Sequence, residues 1–159
     1  MPKERFFFEQ PLGKDTNILI NNEEFHHLVN VMRVKIDEQI EVVNGNGQLA
    51  IATVQSIQKK QATLIIQDVL FEPKNPFSII LAQGIPRPNR LDFILEKATE
   101  LGVTEIWLFP GDTSERKTLN ENQLERAKGI TIAAMKQCGR LHLPLIAIKE
   151  KLKNWEVFK

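Results

Sequence analysis

The 159-residue sequence has one cysteine, eight glycines and no apolar run long enough to cross a membrane. Because Cys138 is the only cysteine, an intrachain disulfide and an all-cysteine metal site are excluded, and no metal site is expected. A transmembrane helix needs roughly 18 consecutive apolar residues, so we expect no contact with a membrane. The low cysteine content fits a reducing compartment, which predicts a cytoplasmic protein.

The sequence also lacks a strong net charge, because 21 Lys and Arg residues stand against 20 Asp and Glu residues. The charge is divided unevenly: residues 1–72 carry a net −3 and residues 73–159 carry a net +4. A general attraction of the whole surface to nucleic acid is therefore excluded. Any contact with phosphate groups has to be a local patch, and the second half is the more favourable place for it.

A proline-rich segment, Glu72-Pro73-Lys74-Asn75-Pro76, separates two parts of the chain that have different patterns. Two prolines three positions apart, among polar residues, predict a short stiff linker over residues 73–76. Residues 1–72 are predicted to form one domain, and residues 77–159 are predicted to form a second.

The first domain is predicted to be a small β-barrel or meander that contains one helix. The glycines of Asn44-Gly45-Asn46-Gly47 tolerate positive φ, which predicts a hairpin turn. The same segment matches the letters of a dinucleotide-binding loop, but no helical pattern follows it. Strands are predicted over residues 17–20, 39–43, 48–57 and 62–71, and a helix, capped by Asn21 or Asn22, over residues 23–34.

The second domain is predicted to contain a parallel sheet because strands and helices alternate along it. Strands are predicted over residues 78–82, 105–109 and 143–148, the first with the continuous apolar pattern of a buried strand. Asn89 is the predicted N-cap of the first helix, and Gly102 is its predicted C-terminal stop. Asn120 and Gln123 predict a capping box for a second helix that extends to Cys138.

Two arginines, Arg87 and Arg90, lie in the proline-stiffened loop that follows the first strand of the second domain. Parallel α/β sheets bind ligands at the carboxyl ends of their strands. Guanidinium groups held by a stiff loop recognise phosphate with little loss of entropy, so both residues are candidate phosphate ligands. The alternative is that they are ordinary surface charges.

Arg116 and Arg140 are the other candidate cations of the second domain. Arg116 belongs to Ser114-Glu115-Arg116, in the loop after the second strand, and its alternative role is that of a solvated loop charge. Arg140 lies three residues after Gln137 at a helix end, where it can also satisfy the last helix carbonyls. Loops that follow parallel strands lie on one side of a sheet, which brings Arg116 together with the two loop arginines. Arg140 ends a helix that can lean over the same edge, so we predict that all four arginines form one positive rim.

Two adjacent histidines, His26 and His27, lie within the predicted helix of the first domain. Adjacent helical side chains point in different directions and no other histidine is near in sequence, which argues against a metal site. The simplest interpretation is that one histidine packs against the core and the other is solvated.

Three segments of the second domain are distinctive in this order: residues 91–103, Ser114-Glu115-Arg116 and Gln137-Cys138-Gly139-Arg140. Together they resemble the ribosomal RNA small-subunit methyltransferase E family, which belongs to the SPOUT superfamily of knotted α/β enzymes. In the first domain, Arg5-Phe6-Phe7, with His27 and Val31-Met32-Arg33 further on, is similar to the N-terminal pattern of the family. The resemblance covers essentially the whole chain.

The resemblance implies a PUA-like β-barrel, which is an RNA-binding module, followed by the parallel-sheet part of a SPOUT-type α/β domain. It implies methylation of N3 of a specific uridine in 16S ribosomal RNA, with S-adenosylmethionine as donor. Ribosomal RNA, the small ribosomal subunit and a second copy of the chain in a homodimer are the implied partners. Arg116 is the implied catalytic residue, because a guanidinium can stabilise an anionic uracil ring. The implied RNA contacts are Arg5, His27, Arg33, Arg87, Arg90, Gln137 and Arg140.

The sequence lacks the part of the family pattern that binds S-adenosylmethionine. The knot of the family carries a Gly-Pro-Glu-Gly-Gly-like loop and a later Leu-Gly-x-x-Ile-Leu-Arg-x-Glu-Thr-like stretch, and neither occurs here. The cofactor-binding residues are therefore expected C-terminal to Lys159. No histidine or carboxylate stands out as a general base, which leaves that role to a water or to an absent residue. The alternative functions are a non-catalytic RNA-binding protein with a degenerate α/β domain, and an α/β interaction module without an RNA role.

Overall fold

The computed structural model describes residues 4–112 and 117–156. The chain divides into two compact units, Met1–Lys74 and Asn75–Lys159, and each unit has its own sheet. Among the residues described, each helix is either too short or too polar to span a bilayer.

The first unit is built on one five-stranded sheet. Its strands are β1 Arg5–Phe7, β2 Asn17–Asn21, β3 Gln39–Val43, β4 Gln48–Ile57 and β5 Gln61–Phe71. They lie in the order β1-β3-β4-β5-β2, with β1 parallel to β3 and every other pair antiparallel. Because β1 and β2 are the two edges, the sheet forms a half-barrel.

One face of this sheet forms the core of the first unit, because apolar residues recur at every second position of the strands. In β2, Ile18 and Ile20 are buried, while Leu19 between them is exposed. Phe6 of β1 and Leu28, which lies in the segment after β2, are fully buried in the same cluster. The period-2 pattern therefore explains which side chains form the core.

The hairpin between β3 and β4 is confirmed, since Gly45 and Gly47 have φ angles of 73° and 88°. The buried Asn44 side chain closes the turn: its Nδ2 donates to Oε1 of Gln48 at 2.6 Å. The Nε2 of Gln48 in turn donates to the carbonyl of Leu12 at 3.0 Å. The turn and the loop after β1 are thus held together by buried polar groups.

The prediction of one α-helix over residues 23–34 is wrong in length and type. An α-helix, α1, covers only Asn22–His26, and a π-helical segment covers His27–Val31. The amide of Met32 donates to a carbonyl five residues earlier, at 2.9 Å. Asn21 is the N-cap residue, but its side chain makes no capping hydrogen bond. Apolar spacing identifies the helix face that packs on the core, whereas a π turn depends on a hydrogen-bond shift that spacing does not encode.

The second unit contains three strands, two helices and a short 3-10 turn. The elements are β6 Ile80–Gly84, α2 Pro88–Leu101, β7 Glu105–Phe109, α3 Glu121–Cys138, β8 Leu145–Ile148 and the turn Leu152–Asn154. The strand order is β6-β7-β8, and both neighbouring pairs are parallel. The predicted parallel sheet is therefore confirmed.

Both helices pack on the same face of this parallel sheet. Leu95 of α2 and Ala127 of α3 share one apolar cluster with Ile106 and Leu108 of β7. The partly exposed Trp107, which lies between those two β7 residues, points to the opposite face. Each helix begins near the carboxyl ends of the strands and ends near their amino ends, because it returns the chain to the start of the next parallel strand.

Four local predictions in the second unit are wrong: the starts of β6 and β8, the burial of β6 and the N-cap of α2. β6 and β8 each begin two residues later than predicted, and β6 is an edge strand whose Ile80 and Ala82 are exposed, not a buried strand. α2 begins at Pro88 with Arg87 as its N-cap, so Asn89 lies inside the helix. Proline suits the first helical position because it has no amide hydrogen, and it keeps the residue before it out of the helical region.

The other predicted helix ends are confirmed. Gly102 stops α2 in the left-handed region, with a φ of 84°. At the start of α3, Asn120 accepts a hydrogen bond from the amide of Gln123 at 2.9 Å, and the Gln123 side chain accepts one from the amide of Asn120 at 3.0 Å. This reciprocal pair is the predicted capping box, and α3 extends to Cys138 as expected.

Candidate functional site

The carboxyl ends of β6, β7 and β8 lie at one edge of the second unit's sheet, which we name the carboxyl edge. Arg87 and Arg90, at the start of α2, are both exposed beside this edge. The amide of Arg90 donates to the carbonyl of Arg87 at 3.0 Å, which fixes the loop into the first turn of the helix. The positive end of the α2 helix dipole lies beside the two guanidinium groups, so this edge is favourable for an anionic ligand.

A pocket of about 490 Å³ lies at the carboxyl edge, between the loop after β7 and the segment after β8. Its lining residues are Phe109, Pro110, Gly111, Asp112, Lys151, Leu152, Lys153 and Trp155. The walls thus combine aromatic and aliphatic carbon with two ammonium groups and one carboxylate. We name this space the edge pocket.

The aromatic wall of the edge pocket is held in place by its neighbours. Trp155 is only 9% exposed, and its Nε1 donates to the carbonyl of Glu150 at 2.9 Å. Its ring meets Trp107 and Phe109 edge-on, with centroids 5.4 and 5.2 Å away. The ammonium of Lys149 lies 4.3 Å from the centroid of the Trp107 ring. The wall is therefore held in place by contacts within the chain.

Arg116, the predicted catalytic residue, lies outside the described residues, as do Ser114 and Glu115. The loop that carries these residues leaves the carboxyl edge, because it connects β7 to α3. Lys117, further along the same loop, is exposed. The catalytic role of Arg116 stays a prediction.

Arg140 does not lie at the carboxyl edge, so the predicted single rim of four arginines is wrong. Its Nε donates to the carbonyl of Glu100 at 3.0 Å, and its guanidinium lies against Gly102. Glu100 and Gly102 both precede Glu105, the first residue of β7, so Arg140 lies at the amino edge of the sheet. The reason is that α3 runs back along the strands and ends, with Gln137 and Arg140, opposite to where it began. RNA contacts by these two residues stay predictions.

The candidate RNA contacts of the first unit lie in different environments. Arg5 Nε donates to Glu41 at 2.9 Å, and the two side chains are 14% and 15% exposed. Arg5 Nη1 is buried with no hydrogen-bond partner among the described residues. The ring of His27 lies 5.5 Å from that of Phe6. Arg33 is exposed and has a φ of 55°. Arg5 is thus part of a largely buried ion pair, whereas Arg33 reaches solvent, and their RNA contacts stay predictions.

Sequence analysis did not select Lys151, Lys153 or Trp155, which line the edge pocket. The sequence feature that indicates a basic surface here is the alternation of lysines in Lys149-Glu150-Lys151-Leu152-Lys153, directly after the last strand. No regular pattern connects this segment to the distant loop after β7, so the pocket was not predicted. Within residues 4–112 and 117–156, no group of three or more His, Cys, Asp or Glu side chains is placed to hold a metal ion.

Comparison of the sequence with known proteins shows the family to which the chain belongs. A family model described as an RNA methyltransferase domain matches residues 73–157, and one described as an RNA methyltransferase PUA domain matches residues 20–67. Ribosomal RNA small subunit methyltransferase E of Helicobacter pylori is 30% identical over 156 residues, which cover 94% of this chain and 69% of that protein. The chain belongs to the ribosomal RNA small subunit methyltransferase E family. The resemblance seen in the sequence is thereby confirmed.

Solved structures support the fold. A ribosomal RNA small subunit methyltransferase E from Neisseria gonorrhoeae, bound to S-adenosyl methionine, has a TM-score of 0.82 and 29% identity, and the match covers 92% of this chain and 62% of that chain. A methyltransferase from Legionella pneumophila with bound cofactor has a TM-score of 0.86 and 25% identity, over 94% and 64% of the two chains. The predicted fold class, a PUA-like unit followed by a parallel-sheet α/β unit, is confirmed.

The chain is shorter than the relatives it matches. It spans 61% of the family member from Buchnera aphidicola, at 28% identity over 95% of this chain. It spans 40% of the family member from Bacillus subtilis, at 32% identity over 62% of this chain. What those longer proteins bind and modify therefore supports proposals for this chain and does not assign its activity.

Proposed function

We propose that this chain binds small-subunit ribosomal RNA and takes part in methylation of N3 of a uridine in 16S ribosomal RNA, with S-adenosylmethionine as the donor. The observation that carries the proposal is the pair of exposed arginines, Arg87 and Arg90, in a proline-stiffened segment at the carboxyl edge. Family membership supports the reaction class, and the arginines offer a place for RNA phosphates. The proposal includes a homodimer and a cytoplasmic location.

Methylation of N3 requires the protein to stabilise negative charge on the uracil ring. N3 of a uridine carries a proton, and the ring becomes anionic when that proton leaves before the nitrogen gains a methyl group. A fixed guanidinium beside the ring lowers the energy of that anion. We assign this role to Arg116, because its loop leaves the carboxyl edge, and we assign the orientation of flanking phosphates to Arg87 and Arg90.

The edge pocket does not fit S-adenosylmethionine. That molecule carries an ammonium, a sulfonium and a carboxylate, so its net charge is positive. The edge pocket offers Lys151 and Lys153 against the single carboxylate of Asp112. A positively charged lining repels a cation, so no residue of this pocket is assigned to the donor. The cofactor bound by the relative from Neisseria gonorrhoeae supports the identity of the donor and not a position for it in this chain.

The proposal extends to the first unit through Arg33. This side chain is exposed two residues after the π-helical segment ends, and such segments are frequent at functional sites. Its guanidinium is therefore free to meet a phosphate or a base edge. We propose His27, whose ring contacts Phe6, and Arg5, the residue before Phe6, as further RNA contacts. Gln137 and Arg140 would contact RNA from the amino edge of the second unit.

Binding of small-subunit ribosomal RNA across a range of salt concentrations tests the proposal. Each phosphate contact that is lost lowers the slope of log K against log salt by about 0.7 to 0.9. Arg87→Gln combined with Arg90→Gln should therefore lower the slope by about 1.5. Lys59→Gln combined with Lys60→Gln removes the same charge from the exposed turn between β4 and β5 and should leave the slope unchanged. Equal slopes in the arginine variant and the wild type would remove the arginine assignment.

A second function, RNA binding without catalysis, is favoured by the poor fit of the edge pocket to the donor. Transfer of a labelled methyl group from S-adenosylmethionine to the same RNA distinguishes the two functions. Transfer to a uridine that is abolished by Arg116→Ala supports the first. Salt-dependent RNA binding by the 159-residue chain, with no methyl transfer, supports the second. Failure to bind the RNA at all would reject both.

A further inference from the structure

The proposed function assigns no residue of the edge pocket a role. We infer that it binds one nucleotide of an RNA strand, with the base against Phe109 and Trp155 and the phosphate on Lys151 and Lys153. The inference rests on the proposed RNA-binding function and adds to it a specific pocket and a ligand class.

The size and lining of the pocket suit a nucleotide. Its volume of about 490 Å³ falls within the range of roughly 300–1,000 Å³ that is usual for sites of small organic ligands. Phe109 and Trp155 provide aromatic carbon for a base, and bases of every sequence have a π-face that packs on such rings. Asp112 can accept hydrogen bonds only, which suits a ribose hydroxyl or a base N–H.

The charges around the pocket favour a phosphate. The ammonium of Lys149 is already placed over the Trp107 ring, at 4.3 Å from its centroid. Lys151 and Lys153 are exposed, and no ion pair to either of them is present within residues 4–112 and 117–156. Two unpaired ammonium groups beside one carboxylate attract an anion and disfavour the positively charged methyl donor.

The aromatic wall of the pocket is fixed by several contacts within the chain. Trp155 is buried, its Nε1 is satisfied by the carbonyl of Glu150, and its ring is fixed between Trp107 and Phe109. A base that enters finds a rigid wall, so little side-chain freedom is lost when it binds. The location agrees with the general position of ligand sites in open α/β sheets, outside the carboxyl ends of the strands.

The experiment uses the fluorescence of the two tryptophans, since Trp155 lines the pocket and Trp107, the other tryptophan of the chain, contacts its ring. The intact 159-residue chain is titrated with uridine 5′-monophosphate, with uridine and with S-adenosylmethionine. The monophosphate should change the emission saturably, with a dissociation constant of roughly millimolar order. Uridine should bind about tenfold more weakly, because the phosphate contacts are absent. Trp107→Phe leaves Trp155 as a single reporter.

The matched variants are Lys151→Gln with Lys153→Gln, and Lys59→Gln with Lys60→Gln. The first pair should weaken binding of the monophosphate about tenfold and lower the salt slope for ribosomal RNA by about 1.4, the value for two single-strand contacts. The second pair should do neither. All four lysines are exposed, so both variants are expected to fold, and circular dichroism checks this.

Each outcome decides one question. No saturable response to the monophosphate, a stronger response to S-adenosylmethionine, or normal nucleotide binding by the Lys151 and Lys153 variant would overturn the inference. If this variant binds ribosomal RNA normally, the edge pocket is rejected as an RNA-binding site, and the proposed function is unaffected. Lysine-dependent binding of the monophosphate, together with no binding of ribosomal RNA, would keep a nucleotide pocket and reject the proposed function.

Discussion

Replacing Gly102 with alanine should lower the free energy of unfolding of the second unit by about 2–3 kcal/mol. Gly102 ends α2 with a φ of 84°, and a non-glycine residue in the left-handed region costs about 1–2 kcal/mol. An alanine Cβ would also lie 2.5 Å from Cζ of Arg140. The guanidinium then has to leave the carbonyl of Glu100, and loss of that hydrogen bond costs about 1 kcal/mol.

A double-mutant cycle separates these two contributions. Arg140→Ala alone should cost about 1 kcal/mol, because only the hydrogen bond to Glu100 is lost. In that background, Gly102→Ala should cost about 1–2 kcal/mol, because only the backbone strain remains. The double variant should therefore be about 1 kcal/mol more stable than the sum of the single effects predicts. Urea denaturation followed by tryptophan fluorescence is the assay, because Trp107 and Trp155 both lie in the second unit.

Gly129→Ala is the control for the effect of alanine itself. Gly129 lies inside α3, and no atom lies within 4 Å of the position that its Cβ would take. Alanine there should stabilise the unit by about 0.5–1 kcal/mol. Strictly additive costs for Gly102→Ala and Arg140→Ala would refute the contact between the guanidinium and the helix end. A Gly102→Ala variant as stable as the wild type would refute the left-handed cap as well.

Three further predictions concern other parts of the second unit. Asn120→Ala should cost about 1 kcal/mol in the same assay because the capping box is lost, and an unchanged midpoint would contradict it. Hydrogen bonds to Glu96 and then Glu100 raise the pKa of Lys97 above 10.5. Its stabilising contribution is complete below that pH and is lost only above it, so the stability difference between wild type and Lys97→Gln should be equal at about pH 7 and pH 9. Calorimetry should detect no saturable S-adenosylmethionine binding at micromolar concentration, because the sequence contains no Gly-Pro-Glu-Gly-Gly-like loop; a saturable heat would refute this.

Local backbone chemistry was predictable from the sequence. The stop at Gly102, the hairpin glycines Gly45 and Gly47, and the box of Asn120 and Gln123 all occur as predicted. In each of these cases the decisive interaction joins residues within four positions of each other, or depends on one backbone angle. The start of α2 differs from the prediction although its signal is also local, because Pro88 at the first helical position and its effect on Arg87 outweigh the capping tendency of Asn89.

Features that depend on contacts between distant residues were not predictable in the same way. The edge pocket joins the loop after β7 to the segment after β8, and nothing in a single sequence states that Phe109 meets Trp155. The π-helical segment His27–Val31 is another example, because it differs from an α-helix by one shifted hydrogen bond. Its core-facing side chains obey the apolar spacing that predicts an α-helix.

The position of Arg140 has a general cause and a consequence for RNA binding. In a parallel α/β unit, a residue that follows a strand reaches the carboxyl edge, whereas a residue that follows a helix reaches the amino edge. This rule separates Arg87 and the loop of Arg116 from Arg140, which follows α3. If Arg140 contacts RNA, it does so from a different face of the sheet and while it holds the end of α2. A loss of RNA affinity in Arg140→Ala then has two possible sources, and Arg140→Gln distinguishes them. A glutamine lacks the charge that meets phosphate but keeps N–H donors for the Glu100 carbonyl, so affinity that is lost in both variants comes from the charge.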